Sequence, residues 1–146
     1  MPTTEIDLTE VQRALHLKRE IDRRLNALVK EACQTVDDTS VAGRDSKMER
    51  SQFDNVLAVA TETESVEVIK NFIRYQIGRR DGLGWRHGGF GLKVVEDLDR
   101  LRDVAQKVAE KSGTDADEAW IGLARQYLGY MRRHFVYARW RAGGGQ

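Results

Sequence analysis

The sequence predicts an all-α fold, a single-domain bundle of about five helices spanning residues 1–146. The chain contains one proline, Pro2, so no later position forbids a helix. Apolar residues recur at three- and four-residue steps over long stretches, and the sustained apolar–polar alternation that would predict a strand is absent. A chain of 146 residues is long enough for one hydrophobic core and too short for two domains. Residues 1–6 and 141–146 are expected to fray.

The first helix is predicted over residues 7–35, where apolar positions from Val11 to Ala32 form one stripe with mixed charges on the opposite face. Cys33 lies near the end of this run and is expected to be a small core residue. Residues 37–45 are polar and include Gly43, which breaks the helical period, so they are predicted to form a loop.

The second and third helices carry capping signatures at their starts. Ser46 followed by Glu49 is the capping-box pattern, and Thr61 followed by Glu64 repeats it. The third helix is expected to end at Gly78, because glycine readily adopts the left-handed conformation that closes a helix.

Residues 79–91 are predicted to form a glycine-rich loop between the third and fourth helices. Residues 78–91 contain six glycines and three arginines against a single acid. Apolar residues at near-heptad spacing then predict a fourth helix over residues 92–111. The last helix is expected to run to about Trp140.

The formal net charge of +1 excludes a strongly basic protein, but the charges are unevenly distributed. Residues 120–146 contain five arginines and no acid, and residues 66–93 contain six basic residues against two acids. Segregated positive charge on a nearly neutral chain favours a surface that faces a polyanion. An ordinary solvated helix face is the alternative interpretation of the same charges.

Basic residues of these two segments are predicted to contact a nucleic-acid backbone, and Lys70 and Arg74, four residues apart, are expected to point outward from one helix face. Trp85 and Phe90, in a mobile glycine-rich loop, are candidates for stacking on bases. The alternative is that both rings fold back and close the end of the bundle. The predicted backbone contacts are Lys70, Arg74, Arg79, Arg80, Arg86, Arg132 and Arg133.

The sequence provides no convincing catalytic set, and it predicts neither a metal site nor a cofactor. Cys33 is the only cysteine, which excludes a disulfide framework and a multi-cysteine metal site. Arg80 and His87 have the spacing of the arginine–histidine motif of HEPN-type ribonucleases, in which the two residues promote attack by the 2′-hydroxyl. In those enzymes the motif opens a helix. Here the residues between Arg80 and His87 contain more glycine than such a helix start would. A HEPN-like ribonuclease or toxin–antitoxin protein is therefore the enzyme alternative, and a helical protein–protein interaction module is a third.

The N-terminus shows none of the features of an export signal. It is acidic and polar, without a basic segment that leads into an apolar one. No apolar run approaches the length of a membrane span. We therefore expect a soluble, cytoplasmic protein that does not insert into a membrane.

Three short stretches share the pattern of one protein family. Residues 48–53, Met-Glu-Arg-Ser-Gln-Phe, match a Ser/Thr-Gln-apolar helix start, and residues 74–79, Arg-Tyr-Gln-Ile-Gly-Arg, match a basic-Tyr-Gln-small-Gly-Arg helix ending. Residues 124–137 form an aromatic-rich final helix with basic residues after it. In these features the chain resembles the small helical subunit of type III (Csm-type) CRISPR RNA-guided effector complexes. Asp54 departs from the family pattern, in which a basic residue usually follows Ser-Gln.

The resemblance implies a non-catalytic, RNA-binding role. Members of this family stack as copies along the inner face of the effector complex, where they bridge its large subunit and its backbone filament. Their basic helices contact the guide–target duplex through sugar and phosphate without reading bases. The partners that the resemblance implies are therefore guide RNA, target RNA, other effector subunits and further copies of the chain.

Overall fold

The computed structural model describes the backbone of residues 2–145 and the side chains of residues 9–145. These residues form helices and turns and no strand, which confirms the all-α prediction. The expected count of about five helices is wrong, because the described residues contain seven, of which the fifth is a single turn. The helices are α1 (Pro2–Asp22), α2 (Leu25–Thr39), α3 (Arg50–Glu62), α4 (Val66–Gly78), α5 (Leu83–Arg86), α6 (Phe90–Ser112) and α7 (Ala116–Ala142), with a 3₁₀ turn (His87–Gly89) between α5 and α6.

The chain ends are more regular than expected. Residues 2–6 and 141–142, which the sequence predicts to fray, belong to α1 and α7. Met1 and Gln146 lie outside the described residues.

The long first helix predicted over residues 7–35 is in fact two helices. They are separated by a turn at Arg23 and Arg24, where the N–H of Arg24 donates to the carbonyl of Ile21 at 2.9 Å. The apolar period continues across the turn, since Ile21 and Leu28 are both buried, but α1 packs mainly on α6 and α2 mainly on α7. Because the apolar residues keep the same helical spacing across this two-residue turn, the periodicity of the sequence does not reveal the break.

α7 is the central helix of the bundle. It packs against α2, α3 and α6, and α4 covers another side of α6. Side chains at three- and four-residue steps on each helix meet in one core. Cys33, which the sequence places in the core, is only half-buried. The core includes the fully buried side chains of Val36, Val56, Ile69, Ile73, Leu98, Leu123 and Met131.

The connection between α2 and α3, residues 40–49, packs into the bundle although it is not helical. Val41 and Met48 have no exposed surface. Arg139 of α7 reaches this segment and donates hydrogen bonds to the carbonyls of Ala42 (3.0 Å) and Met48 (2.8 Å). Residues 37–39 of the predicted loop therefore belong to α2, and the connection spans residues 40–49. Hydrogen bonds from α7 fix its position.

The helix starts differ from the predicted capping patterns. The capping box of α3 joins Glu49 and Gln52, rather than Ser46 and Glu49, and the N–H of Glu49 donates to Oε1 of Gln52 at 2.8 Å. Ser65, rather than Thr61, caps α4 with its side-chain oxygen. Capping residues recur every few positions in this part of the chain, so the pattern locates each helix start only to within a few residues.

Most of the glycine-rich segment is helical, so the loop predicted over residues 79–91 is wrong except for a turn at residues 79–82. The segment contains α5, the 3₁₀ turn and the first residues of α6. A Cβ atom at Gly84 would lie 2.6 Å from the Cα of Met48, and one at Gly88 would lie 2.2 Å from the carbonyl oxygen of Thr39. Gly88 also has a φ of 56°, a left-handed conformation that other residues adopt at a cost. These glycines allow backbone segments to approach closely.

Trp85 and Phe90, the two candidates for base stacking, lie in the core. Their exposed fractions are 2% and 0%. The two rings stack on each other with centroids 5.6 Å apart, and the ring of Phe53 lies 6.1 Å from Trp85 and 5.7 Å from Phe90. Neither ring is available to a base, so the stacking hypothesis is wrong. Both rings fold back into the bundle, as the alternative expected.

A buried polar cluster joins α2, α6 and α7. Asp97 has no exposed surface, and its Oδ2 accepts hydrogen bonds from Oγ1 of Thr35 (2.5 Å) and from the hydroxyl of Tyr127. Its Oδ1 accepts from Arg100, whose guanidinium also pairs with Glu31 at 3.2 Å. Because a buried carboxylate without partners is costly, the cluster favours the one arrangement in which the three helices supply those partners.

The loss of stability at alkaline pH is expected to be smaller in Tyr127→Phe than in the wild type. Burial, together with the charge and hydrogen bond of Asp97, raises the pKa of Tyr127 well above its ordinary value of 10. The neutral phenol is therefore favoured in the folded state, and its contribution to stability is present below pH 10 and lost as the pH rises through the higher folded pKa. Urea unfolding between about pH 8 and about pH 11 measures the difference. Equal slopes in the two proteins would contradict it.

Candidate nucleic-acid interface

Lys70 lies on the inner side of α4 and not, as predicted, on its outer face. Its side chain is 8% exposed, and its Nζ pairs with the carboxylates of Glu67 and Asp99, each at 2.5 Å. The ammonium also lies 5.8 Å from the ring centroid of Trp120. Burial alone would lower the pKa of Lys70, but the hydrogen bonds and charges of Asp99 and Glu67 outweigh it and raise the pKa. The predicted phosphate contact at Lys70 is wrong, because its charge is neutralised inside the bundle.

Two further predicted contacts, Arg86 and Arg132, make bonds within the bundle. Nη1 of Arg86 donates to the carbonyls of Ile77 (2.6 Å) and Arg79 (2.9 Å), and so satisfies the C-terminal end of α4. Nε of Arg132 pairs with the carboxylate of Asp54 on α3 at 2.5 Å. The acid at position 54, which departs from the family pattern, therefore neutralises an arginine of α7.

Three predicted contacts, Arg74, Arg79 and Arg80, are exposed together at the C-terminal end of α4. Neither Arg74 nor Arg80 forms an ion pair or a side-chain hydrogen bond with a described residue. Tyr75 is 62% exposed, and the guanidinium of Arg79 lies 5.7 Å from its ring centroid. Arg79 also lies 3.8 Å from Asp81, in an exposed pair of the kind that contributes little. We call Arg74, Tyr75, Arg79 and Arg80 the α4 cationic end.

The arginines of α7 divide into two groups. Arg125 and Arg139 point into the bundle, where Nε of Arg125 donates to the carbonyl of Ala60 near the end of α3 at 2.8 Å. Arg133 points outward, and its guanidinium lies 5.9 Å from the ring centroid of Tyr130. Part of the positive charge of α7 therefore lies inside the bundle, where Arg125 bonds to a backbone carbonyl that the end of α3 leaves without a helical partner.

Three large aromatic side chains are exposed that the sequence reasoning did not assign to a site. Besides Tyr75, they are Tyr137, which is 55% exposed, and Trp140, which is 47% exposed. Their exposure could have been predicted from the sequence, because all three lie on the polar face that the helical period assigns to α4 and α7.

Arg80 and His87, the ribonuclease-like pair, lie on different elements. Arg80 is in the turn after α4, and His87 begins the 3₁₀ turn, where it is half-buried. The two residues therefore do not share the single helix that the motif opens in HEPN-type enzymes. Within the described part of the chain, no three His, Cys, Asp or Glu side chains are grouped so that they could hold a metal ion. None of the described helices combines the length and the apolarity that crossing a membrane requires.

No family model, curated protein or solved structure matches the chain. Its exposed charges and rings, together with its sequence motifs, are therefore what bear on its function.

Proposed function

We propose that the chain is a non-catalytic RNA-binding small subunit of a type III (Csm-type) CRISPR effector complex. In this role it contacts the sugar–phosphate backbone of the guide–target duplex and bridges neighbouring subunits. The observation that carries the proposal is the α4 cationic end, which coincides with residues 74–79, one of the three stretches that resemble this family. Two of its guanidiniums, those of Arg74 and Arg80, are exposed and have no acidic partner among the described residues.

The chemistry of the α4 cationic end suits a duplex backbone. A guanidinium presents a planar set of donors that matches phosphate oxygens. An RNA duplex is recognised mainly by its shape, phosphates and 2′-hydroxyls, so clustered arginines bind it without selecting a sequence.

A small subunit of this kind acts in several copies. A few phosphate contacts per chain give weak binding, and copies held side by side on one duplex bind together with a much higher effective concentration. We therefore expect the isolated chain to bind RNA weakly, and the assembled complex to bind it tightly.

Alanine substitution of Arg74, Arg79 and Arg80 together is expected to weaken RNA binding at every sequence. Each lost phosphate contact removes one released counterion, so the slope of log Kd against log salt should fall by about three. Fluorescence anisotropy with two RNA duplexes of unrelated sequence, titrated at several salt concentrations, measures both effects.

The matched control removes three exposed basic residues whose side chains form no ion pair, hydrogen bond or ring contact with described residues: Arg19, Lys107 and Lys111. Both triple variants lose the same net charge, so a general electrostatic effect would change their salt slopes equally. A slope that stays unchanged in the α4 variant, or that falls equally in the control, would contradict the proposal.

Co-purification separates this function from the others that the sequence left open. A bound guide RNA together with large and backbone subunits supports the proposed role. An acidic protein partner without RNA would identify a protein-interaction module.

A cleavage assay tests the ribonuclease alternative, because metal-independent RNA cleavage that is lost in His87→Ala would identify a ribonuclease.

A further inference from the structure

The last turns of α7 carry a stripe of aromatic and cationic side chains. Tyr130, Arg133, Tyr137 and Trp140 follow one another at steps of three or four residues, and Arg141 lies beside Trp140, so all five share one face of the helix. Tyr137 and Trp140 are 55% and 47% exposed. We call these five residues the α7 aromatic face. It extends over about 15 Å of helix axis.

The ring of Tyr137 adjoins that of Trp140 on this face and that of the neighbouring His134. The ring centroid of Tyr137 lies 6.1 Å from that of His134 and 6.2 Å from that of Trp140. Both pairs are tilted, with angles of 43° and 36° between the ring planes, rather than stacked face to face. Part of the ring surface of Tyr137 and of Trp140 is therefore exposed.

Tyr137 and Trp140 of the α7 aromatic face lie outside the hydrophobic core, whereas Tyr130 packs against it. The core side of the same part of the helix is formed by other residues, Leu128, Met131 and Phe135, which are at most 3% exposed. Contiguous exposed aromatic surface is uncommon on a chain that has no ligand for it. The face therefore points to a ligand that offers flat apolar surfaces of its own.

The charges around the α7 aromatic face favour an anionic ligand. Arg133 and Arg141 are exposed on it, and α7 contains no acid after Glu118. The carboxylate of Asp37, which approaches this part of α7 from α2, bonds to Nε2 of His134 at 2.8 Å. A ligand with both flat rings and negative charge therefore matches this surface.

We propose that the α7 aromatic face binds single-stranded RNA by stacking with its unpaired bases. Tyr137 and Trp140 supply the stacking surfaces, and Arg133 and Arg141 neutralise the adjacent phosphates. Every base has a flat face, so the binding tolerates any sequence. A duplex conceals its base faces, so the ligand differs from that of the α4 cationic end, which requires only phosphates. The inference depends on α7 alone and goes beyond the proposed duplex contact.

The test compares two strands of equal length and charge, an oligouridylate of about 12 nucleotides and a wholly abasic strand, by fluorescence anisotropy. The wild type is expected to bind the strand that carries bases at least about tenfold more tightly, because each of the two stacking contacts is worth about that factor. Tryptophan fluorescence gives a second readout. Trp85 and Trp120 are only 2% and 5% exposed, so quenching by the oligouridylate reports on Trp140.

The variant Y137L/W140L keeps apolar side chains but removes the stacking rings, and it should bring the ratio of the two affinities close to one. The variant Y137F/W140F keeps aromatic rings and should retain most of the preference for bases. V136A is the control on the same helix, because Val136 is 39% exposed but lies outside the α7 aromatic face. It should behave as the wild type does.

Three results would overturn the proposal: no wild-type binding to the oligouridylate, equal wild-type affinity for the two strands, or a preference for bases that survives in Y137L/W140L. Its failure is distinguishable from failure of the duplex-binding function. R74A/R79A/R80A should leave the preference for bases intact while it weakens duplex binding, and Y137L/W140L should leave the salt slope for the duplex unchanged.

Discussion

Trp85→Ala is expected to lower the free energy of unfolding by about 3–5 kcal/mol. Trp85 is 2% exposed and packs against the rings of Phe53 and Phe90. Alanine would leave a cavity where these rings meet, and the close approach of Gly84 to Met48 leaves the neighbouring backbone little freedom to fill it. Urea unfolding followed by circular dichroism measures the change.

Trp140→Ala is the matched control for this prediction. Trp140 is 47% exposed, so its loss should cost much less than the loss of Trp85. Trp85→Phe is informative as well, because Nε1 of Trp85 is buried without a hydrogen-bond partner among the described residues. Phenylalanine removes that unpaired donor, so this variant should be less destabilised than the alanine variant. A stable Trp85→Ala protein that had lost RNA binding would restore the stacking role that its burial argues against.

Asp97→Ala is expected to cost about 2–6 kcal/mol, because two buried hydroxyls lose their acceptor. The substitution takes the acceptor from the hydroxyls of Thr35 and Tyr127 at once and leaves Arg100 with Glu31 alone. Buried donors that lose their only partner cost about 1–3 kcal/mol each. The measurement is again equilibrium unfolding in urea near neutral pH.

Asp103→Ala provides the comparison on the same helix. Asp103 is exposed, and its side chain forms no hydrogen bond or ion pair with described residues, so its loss should change stability by less than about 0.5 kcal/mol. Asp97→Asn separates charge from shape, because it keeps an oxygen acceptor but places an amide donor in a site built for a carboxylate. The stability of Asp97→Asn should lie between those of Asp97→Ala and Asp103→Ala. If Asp97→Ala were as stable as Asp103→Ala, the buried cluster would contribute nothing to how α2, α6 and α7 meet.

The helical period is readable from the sequence because it is local. The spacing of apolar residues in α3 predicts four core positions, Phe53, Val56, Leu57 and Ala60; Leu57 is half-buried and the other three are buried. The break between α1 and α2 is not readable in this way. It keeps the apolar phase, and it exists because the two helices pack on different partners, α6 and α7.

Composition misled the prediction at the glycine-rich segment. Glycine is common in mobile loops and also where backbones touch, and a single sequence does not distinguish the two uses. Gly84 and Gly88 belong to the second kind, because the atoms that exclude a side chain there come from Met48 and Thr39, distant in the sequence. The burial of Trp85 and Phe90 follows from the same packing.

By itself, the sequence determined the helical class of the protein, much of the core and the two segments in which positive charge is concentrated. The hydrogen bonds and the side-chain pattern of a helix involve residues three or four positions apart, so a short stretch of sequence is enough to predict them. Only the tertiary structure decided which charges remain free. Arg125 meets a carbonyl 65 positions away and Arg132 meets a carboxylate 78 positions away, whereas Arg74 and Arg80 meet neither among the described residues. Of the predicted interface, Arg74 and Arg80 of the α4 cationic end and Arg133 of α7 lack such internal partners among the described residues.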